Sequence, residues 1–177
     1  KSIFKLAGIM KADDSGPFNV QEATTVGSVL SEGATFFSLQ NQRTETTYAQ
    51  VADLEICNGL TPEKASDKLI AFVHRNNLTF DAIDAVILGN NGDSEFDGYY
   101  DKIAEHLNET PQIHYKHLMG EFNTVTAMAW YFAAQILRKQ EIPTQLSSNG
   151  IHRKAYQNIL IYNQYRGIDH SFALIRL

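Results

Sequence analysis

The sequence predicts an α/β domain in which helices cover a mixed sheet. Three observations predict it. Several short runs are apolar throughout or alternate with period two, as strands do. Three longer segments repeat apolar residues at helical spacing. Their order is strand, strand, helix, strand, helix, helix, strand, strand, which layers helices on a sheet.

Taken in order, residues 1–32 form a loop-rich leading segment, with Asp13-Asp-Ser-Gly-Pro17 as a turn cluster. Gly33–Gln40 (GATFFSLQ) reads as a buried strand. In Ala52–Ile56, Ala52, Leu54 and Ile56 alternate with Asp53 and Glu55, the pattern of a half-buried strand with its apolar side inward. Thr61-Pro62-Glu63 starts a helix with a cap residue, a proline at the first position and an acid on the positive end of the dipole. Ala65, Leu69, Phe72 and Val73 then share one face. Ala82–Leu88 is an apolar strand that ends in GNNGDSEFDG. Phe96, Tyr100, Ile103, Ala104 and Leu107 define the next helix, and Gln112–His117 a short strand. Thr124–Lys139 is a helix whose stripe is Val125, Met128, Ala129, Phe132, Ala133, Ile136 and Leu137. Trp130 and Tyr131 on its flank predict contact on a second side. Asn158–Tyr162 and Ser171–Ile175 close the chain as an antiparallel hairpin. Ligands in layered α/β folds bind beyond the carboxyl ends of strands, which points to the loop after Leu88 and the loop that holds Lys116.

The chain has 177 residues, enough for one domain with its own core. Hydrophobic residues make up 44% and charged residues 20%, a globular composition. The net charge of −5, without a dense Lys/Arg run, argues against a nucleic-acid partner. The longest apolar run, Val125–Leu137, is too short and too interrupted to span a bilayer. A single cysteine, Cys57, allows no internal disulfide and fits a reducing, cytoplasmic setting. In that setting the sequons at Asn77 and Asn108 are chance matches. The first residue is Lys rather than Met, as expected of a processed chain or a piece of a longer one.

Two stretches could hold a metal. His114, His117 and Glu121 are spaced i, i+3, i+7, and zinc accepts such ligands. An extended start after Pro111, the helix-breaking Gly120 and the charge of Lys116 all oppose convergence, so no metal is expected there. Asp93–Gly98 (DSEFDG) is like the first half of a calcium loop, but Ala104 stands where the bidentate glutamate belongs. A solvated acidic turn is the simpler reading. Cys57, with no histidine near it in sequence, reads as a structural or edge thiol.

Four blocks in order carry a family resemblance. Gly16–Gln40 is similar to the segment of β-ketoacyl-acyl-carrier-protein synthases in which "PFD", a loop and "GEGA" lead into a strand. FDAIDAVILGNNGDSEFD (Phe80–Asp97) resembles their "ID–V–HGTGT–D" strand and loop. Tyr115–Pro143 resembles their "K–GH–GAAG" segment, buried helix and closing "IP". Asn158–Leu177 sits where they carry "NSFGFGGTN" and a last strand. The blocks cover essentially the whole chain and correspond to the family's C-terminal half. The resemblance implies one half of a thiolase-like fold, a mixed five-stranded sheet layered with helices. It also implies that the nucleophilic cysteine belongs to the other half and is not Cys57. No cofactor is implied.

The departures bear on mechanism. The family's two histidines stabilise developing negative charge, and such donors are typically worth about 10²–10³ in rate. Aligned on Asp97, the first falls on Gly89, followed by Asn90 and Asn91; aligned on Gly120, the second falls on Glu121. Lys116 keeps the family's lysine position, and the glycine-rich loop reads Tyr165-Arg-Gly-Ile-Asp169. The resemblance therefore places degenerate catalytic positions at Lys116 and Glu121, and substrate-binding positions at Gly89, Asn90, Asn91, Asp93, Tyr165 and Gly167. Three functions remain open. One is a non-catalytic condensing-enzyme homologue, like a chain-length factor. Another is an acyltransferase of changed chemistry using Lys116, Glu121 and Asp93. The third is an assembly domain. The partners implied are an acyl carrier protein or acyl thioester, the missing N-terminal half or a partner subunit, and a second copy in a homodimer.

Overall fold

The computed structural model describes residues 3–12 and 23–177. The turn cluster expected at Asp13–Pro17, and the first residues of the Gly16–Gln40 block, lie outside the described residues. A short helix α1 (Ile3–Leu6) leads to β1 (Gln50–Asn58), α2 (Pro62–Arg75), β2 (Ala85–Leu88), α3 (Gly98–Ala104), β3 (Gln112–His114), α4 (Lys116–Met119), α5 (Thr126–Lys139), β4 (Asn158–Tyr165) and β5 (Asp169–Arg176). One five-stranded sheet has the order β1-β5-β4-β2-β3. β2 runs parallel to β3 and β4, whereas β5 is antiparallel to both β4 and β1. The sheet is mixed and layered, as expected.

Each central strand feeds two cores, because successive side chains point to opposite faces. In β2, Ala85 and Ile87 pack under α5, with Ala129, Ala133, Ile136 and Leu137. Val86 and Leu88 pack with Leu69, Phe72 and Val73 of α2 and Tyr100 and Ile103 of α3. This two-sided burial explains why β2 reads as a continuous apolar run. The α2 start is built as expected: Pro62 opens it and the Thr61 hydroxyl accepts from the Lys64 N–H at 3.3 Å. α5 stops at Gln140, which adopts a left-handed conformation (φ 58°) usually taken by glycine. Its carboxamide donates to the Leu137 and Tyr156 carbonyls at 2.6 and 2.9 Å and accepts from the Tyr156 N–H at 2.8 Å.

Several expectations are corrected. Gly33–Gln40 is not a buried strand: it has no regular structure, and Phe36 (93%) and Leu39 (82%) stand in solvent. Its backbone lies beside no strand among the described residues, so its apolar content alone cannot make it one. The strand expected over Gln112–His117 ends at His114, where the chain turns into the single turn α4. The strand expected from Ala82 begins at Ala85, after a 3₁₀ turn at Phe80–Ala82. The helix expected over residues 96–107 is α3 followed by a 3₁₀ turn at Glu105–Leu107.

β1 exists but buries the opposite side. Asp53 and Glu55 face α2, where Arg75 Nε meets Asp53 Oδ2 at 2.7 Å and Lys68 Nζ meets Glu55 Oε1 at 3.0 Å. Leu54 and Ile56 point away and are exposed. Register places Leu54 beside Ala173, on the α5 side of the sheet, and α5 packs over β4 and β5 rather than over this edge. A bulge between Val51 and Asp53 sets the phase. On α5, Trp130 packs against the chain's own core, and Tyr131 is the residue that reaches solvent.

Candidate functional site: a sealed lysine–glutamate floor

Three loops meet at the carboxyl ends of β2, β3 and β4. The loop after β2 begins at Gly89, whose N–H donates to the Tyr162 carbonyl at 3.1 Å. Glycine is required there. A Cβ would fall on the Asn163 carboxamide oxygen and lie 2.8 Å from the Tyr100 hydroxyl. The loop then folds around Asp97, whose carboxylate accepts from the Asn91 and Gly92 N–H groups at 3.3 and 2.9 Å. Burial pushes the Asp97 carboxyl up to about 6, although those two N–H groups and the Lys116 charge pull the other way. From the leading segment, buried Lys11 donates to the Gly92 carbonyl at 2.7 Å and to the Thr25 hydroxyl at 2.7 Å. Burial lowers the Lys11 ammonium, and Asp93 and Asp97 oppose that.

The loop after β3 carries Lys116, which is buried. Its ammonium donates to Glu121 Oε2 at 2.8 Å, and the same oxygen accepts from the Asn91 carboxamide at 2.7 Å. Burial lowers the Lys116 ammonium, and the Glu121 carboxylate is the main opposing influence. Gly120, at φ 71°, lets the chain reverse between the two; a Cβ there would meet the Ser31 hydroxyl at 2.7 Å. Removing one member of such a pair leaves an uncompensated buried charge, which costs about 3–5 kcal/mol. The loop between β4 and β5 places Arg166 and Gly167 at φ 51° and 65°. Arg166 Nη1 donates to the Gly8 carbonyl at 3.1 Å, and its guanidinium lies 5.0 Å from the Phe96 ring centre.

These loops and the leading segment line an open cavity of about 680 Å³. Asn91, Asp93, Glu121 and Tyr165, expected from the sequence, all line it. Lys116 reaches it only through Glu121. Gly89 lies beneath the cavity against Asn163, buried Asn90 has a carboxamide oxygen without a hydrogen-bond partner, and Gly167 packs on Tyr99. Sequence reasoning missed Asn163, Arg166 and Lys11. Asn163 also holds a buried carboxamide oxygen without a partner. The one signal for it was its place two residues before the Tyr165–Asp169 loop.

The other singled-out residues lie apart. His114 is buried, which lowers its imidazole to about 4, and His117 Nε2 is 2.9 Å from the Gln145 carbonyl oxygen. Among the described residues no three His, Cys, Asp or Glu side chains are placed to hold a metal ion. Burial raises the Cys57 thiol. His106 is 2.6 Å from the Ser66 hydroxyl and stacks on Phe80, a helix-packing contact. No helix among the described residues is long and apolar enough to cross a membrane.

The sheet order, with α5 on one face and α2 and α3 on the other, is the thiolase-like fold of ketosynthases and chain-length factors. Among solved structures, the ishigamide ketosynthase/chain length factor is similar with a TM-score of 0.71 at 10% identity, over 98% of this chain and 49% of that one. A β-ketoacyl synthase from Burkholderia phymatum is similar with a TM-score of 0.68 at 14% identity, over 99% of this chain and 51% of that one. A type II polyketide ketosynthase, solved with its acyl-carrier protein and bound to a hexaketide, gives 0.64 at 15% identity, over 98% and 52%. The chain thus spans about half the length of these structures. No protein-family model and no curated protein matches the sequence.

Proposed function

We propose that residues 1–177 form one ketosynthase-like half-domain that shapes an acyl pocket and does not itself catalyse condensation. The role resembles that of a chain-length factor beside an active partner. The observation that carries this reading is the floor of the cavity. Glu121 stands at the family's second histidine position and is locked onto Lys116 and Asn91. A carboxylate there repels a forming oxyanion instead of donating to it. At the first histidine position, the space beside Gly89 is filled by the Asn163 carboxamide. The partners that fit this role are an acyl carrier protein or acyl thioester, and an N-terminal half or partner subunit. The alternative acid/base set of Lys116, Glu121 and Asp93 is disfavoured, because Lys116 is buried behind the ion pair.

The test is a condensation assay of this chain with acyl and malonyl carrier-protein thioesters at high protein concentration. The expected result is no turnover, and Glu121→His alone restores none. Measurable product from the unmodified chain overturns the proposal.

A further inference from the structure

We propose that Asp97 is a protonation-operated latch on the cavity wall: its carboxylate holds Asn91 against Glu121, and a proton added to it lets Asn91 go. Asn91, Asp93 and Glu121 all line the cavity, so the latch governs one wall. Its consequence for a bound chain rests on the proposed reading of the cavity as an acyl pocket.

Each carboxylate oxygen of Asp97 serves one backbone donor. Oδ1 accepts from the Asn91 N–H at 3.3 Å and Oδ2 from the Gly92 N–H at 2.9 Å. An ionised carboxylate only accepts, so it holds both; the protonated form turns one oxygen into a donor. Asp97 is 6% exposed, so little water reaches it to take that O–H. The longer bond yields first, and it is the bond to Asn91. The backbone on either side stays pinned. The Gly89 N–H donates to the Tyr162 carbonyl at 3.1 Å, and the Gly92 carbonyl accepts from Lys11 Nζ at 2.7 Å. Movement is therefore confined to Asn90 and Asn91, with Gly92 at φ 81° as the pivot. Asn91 is the residue that reaches across the wall. Its Nδ2 donates to Glu121 Oε2 at 2.7 Å, and its Oδ1 accepts from the Asp93 N–H at 3.2 Å. Buried Asn90 beside it has a carboxamide oxygen without a partner, so the latched arrangement leaves an acceptor unused. Glu121 keeps Lys116 when Asn91 leaves, so the ion pair need not open.

Among the described residues, the charged and titratable groups facing Asp97 are Lys116 with Glu121 behind it, Lys11 from the leading segment, Asp93 from its own loop and the Tyr100 hydroxyl of α3. The two lysines favour the ionised form and Asp93 opposes it. Burial outweighs them and brings the carboxyl up to about 6, which sets the latch in the mildly acidic range.

The test follows the full 177-residue chain by NMR from pH 8 to pH 5, in the parent and in Asp97→Asn, whose carboxamide has one acceptor oxygen instead of two. The Asn91 backbone amide and side-chain carboxamide are expected to shift together, with an inflection near pH 6. In Asp97→Asn both should sit near the parent's acid-limit positions at every pH. No inflection at Asn91 in the parent, or an equal one in Asp97→Asn, overturns the latch. The parent titration stands alone, so the latch can fail even if the variant does not fold. Octan-1-ol is uncharged throughout this range, so its binding reports the wall. It should bind the parent at least threefold more weakly at pH 5 than at pH 8, and Asp97→Asn equally at both. Equal binding to the parent at both pH values overturns the latch's control of the pocket. No octan-1-ol binding at any pH, with the Asn91 inflection present, upholds the latch and overturns the acyl-pocket reading.

Discussion

Asp97 is the residue whose ionisation most affects the loop it holds. In an unfolded chain an aspartate titrates near 3.9, whereas burial brings Asp97 up to about 6 in the fold. The folded state therefore binds the extra proton between those two values. By linkage, its contribution to stability rises as pH falls from about 6 toward 4, and its full penalty is present above about pH 7. Asp97→Asn removes this dependence. Relative to the parent, the variant should gain about 2–3 kcal/mol on going from pH 4 to pH 7, read by urea unfolding at each pH. A difference that does not change with pH refutes this account. The residues around Asp97 also show how legible the site was. Lys116, Glu121 and Asn91 were visible from their place in the motif blocks, and they do meet. Lys11 was not, because its partners Gly92 and Thr25 are contacted through backbone and hydroxyl oxygens that leave no sequence signature.

At the scale of elements, strands were legible as strands but not always by face. β2, β4 and β5 could be placed because both their sides are apolar and buried, so phase does not matter. β1 alternates cleanly, yet the alternation cannot say which side meets the protein. The answer depends on Lys68 and Arg75 of α2, which draw Asp53 and Glu55 inward. The Gly33–Gln40 segment fails for a related reason, since composition says apolar and says nothing of a neighbour. The inversion of β1 makes a specific expectation. Ile56 is 69% exposed, so Ile56→Lys should change the stability of the isolated chain by no more than about 0.5 kcal/mol. Phe172→Ala in the adjacent strand should cost about 3–5 kcal/mol. Urea unfolding of both variants decides it, and a core-sized loss from Ile56→Lys would contradict the observed face.

For the whole molecule, exposed apolar residues concentrate on segments that regular structure does not cover. Phe36, Phe37 and Leu39 lie on the irregular segment, Leu54 and Ile56 on β1 and Tyr131 on α5. Large exposed apolar surface is unusual on a monomer. Burying about 500 Å² of it per partner would be worth roughly 12 kcal/mol per partner at about 25 cal/mol/Å², before association costs. The chain should therefore associate in sedimentation experiments. Phe36→Glu/Leu39→Glu should shift it toward monomer, and a clean monomer at high concentration would overturn the expectation. Trp130, partly buried against the chain's own core, is not among those exposed residues. The Gln140 stop also matters at this scale. Its carboxamide occupies both the N–H and the carbonyl of Tyr156, so the end of α5 is stitched to the approach to β4. The fifteen-residue stretch between them closes on a side chain rather than hanging between two anchors. Opening α5 from its last turn must then also break the Gln140 hold on the Tyr156 backbone, so fraying of the helix end is coupled to the approach to β4.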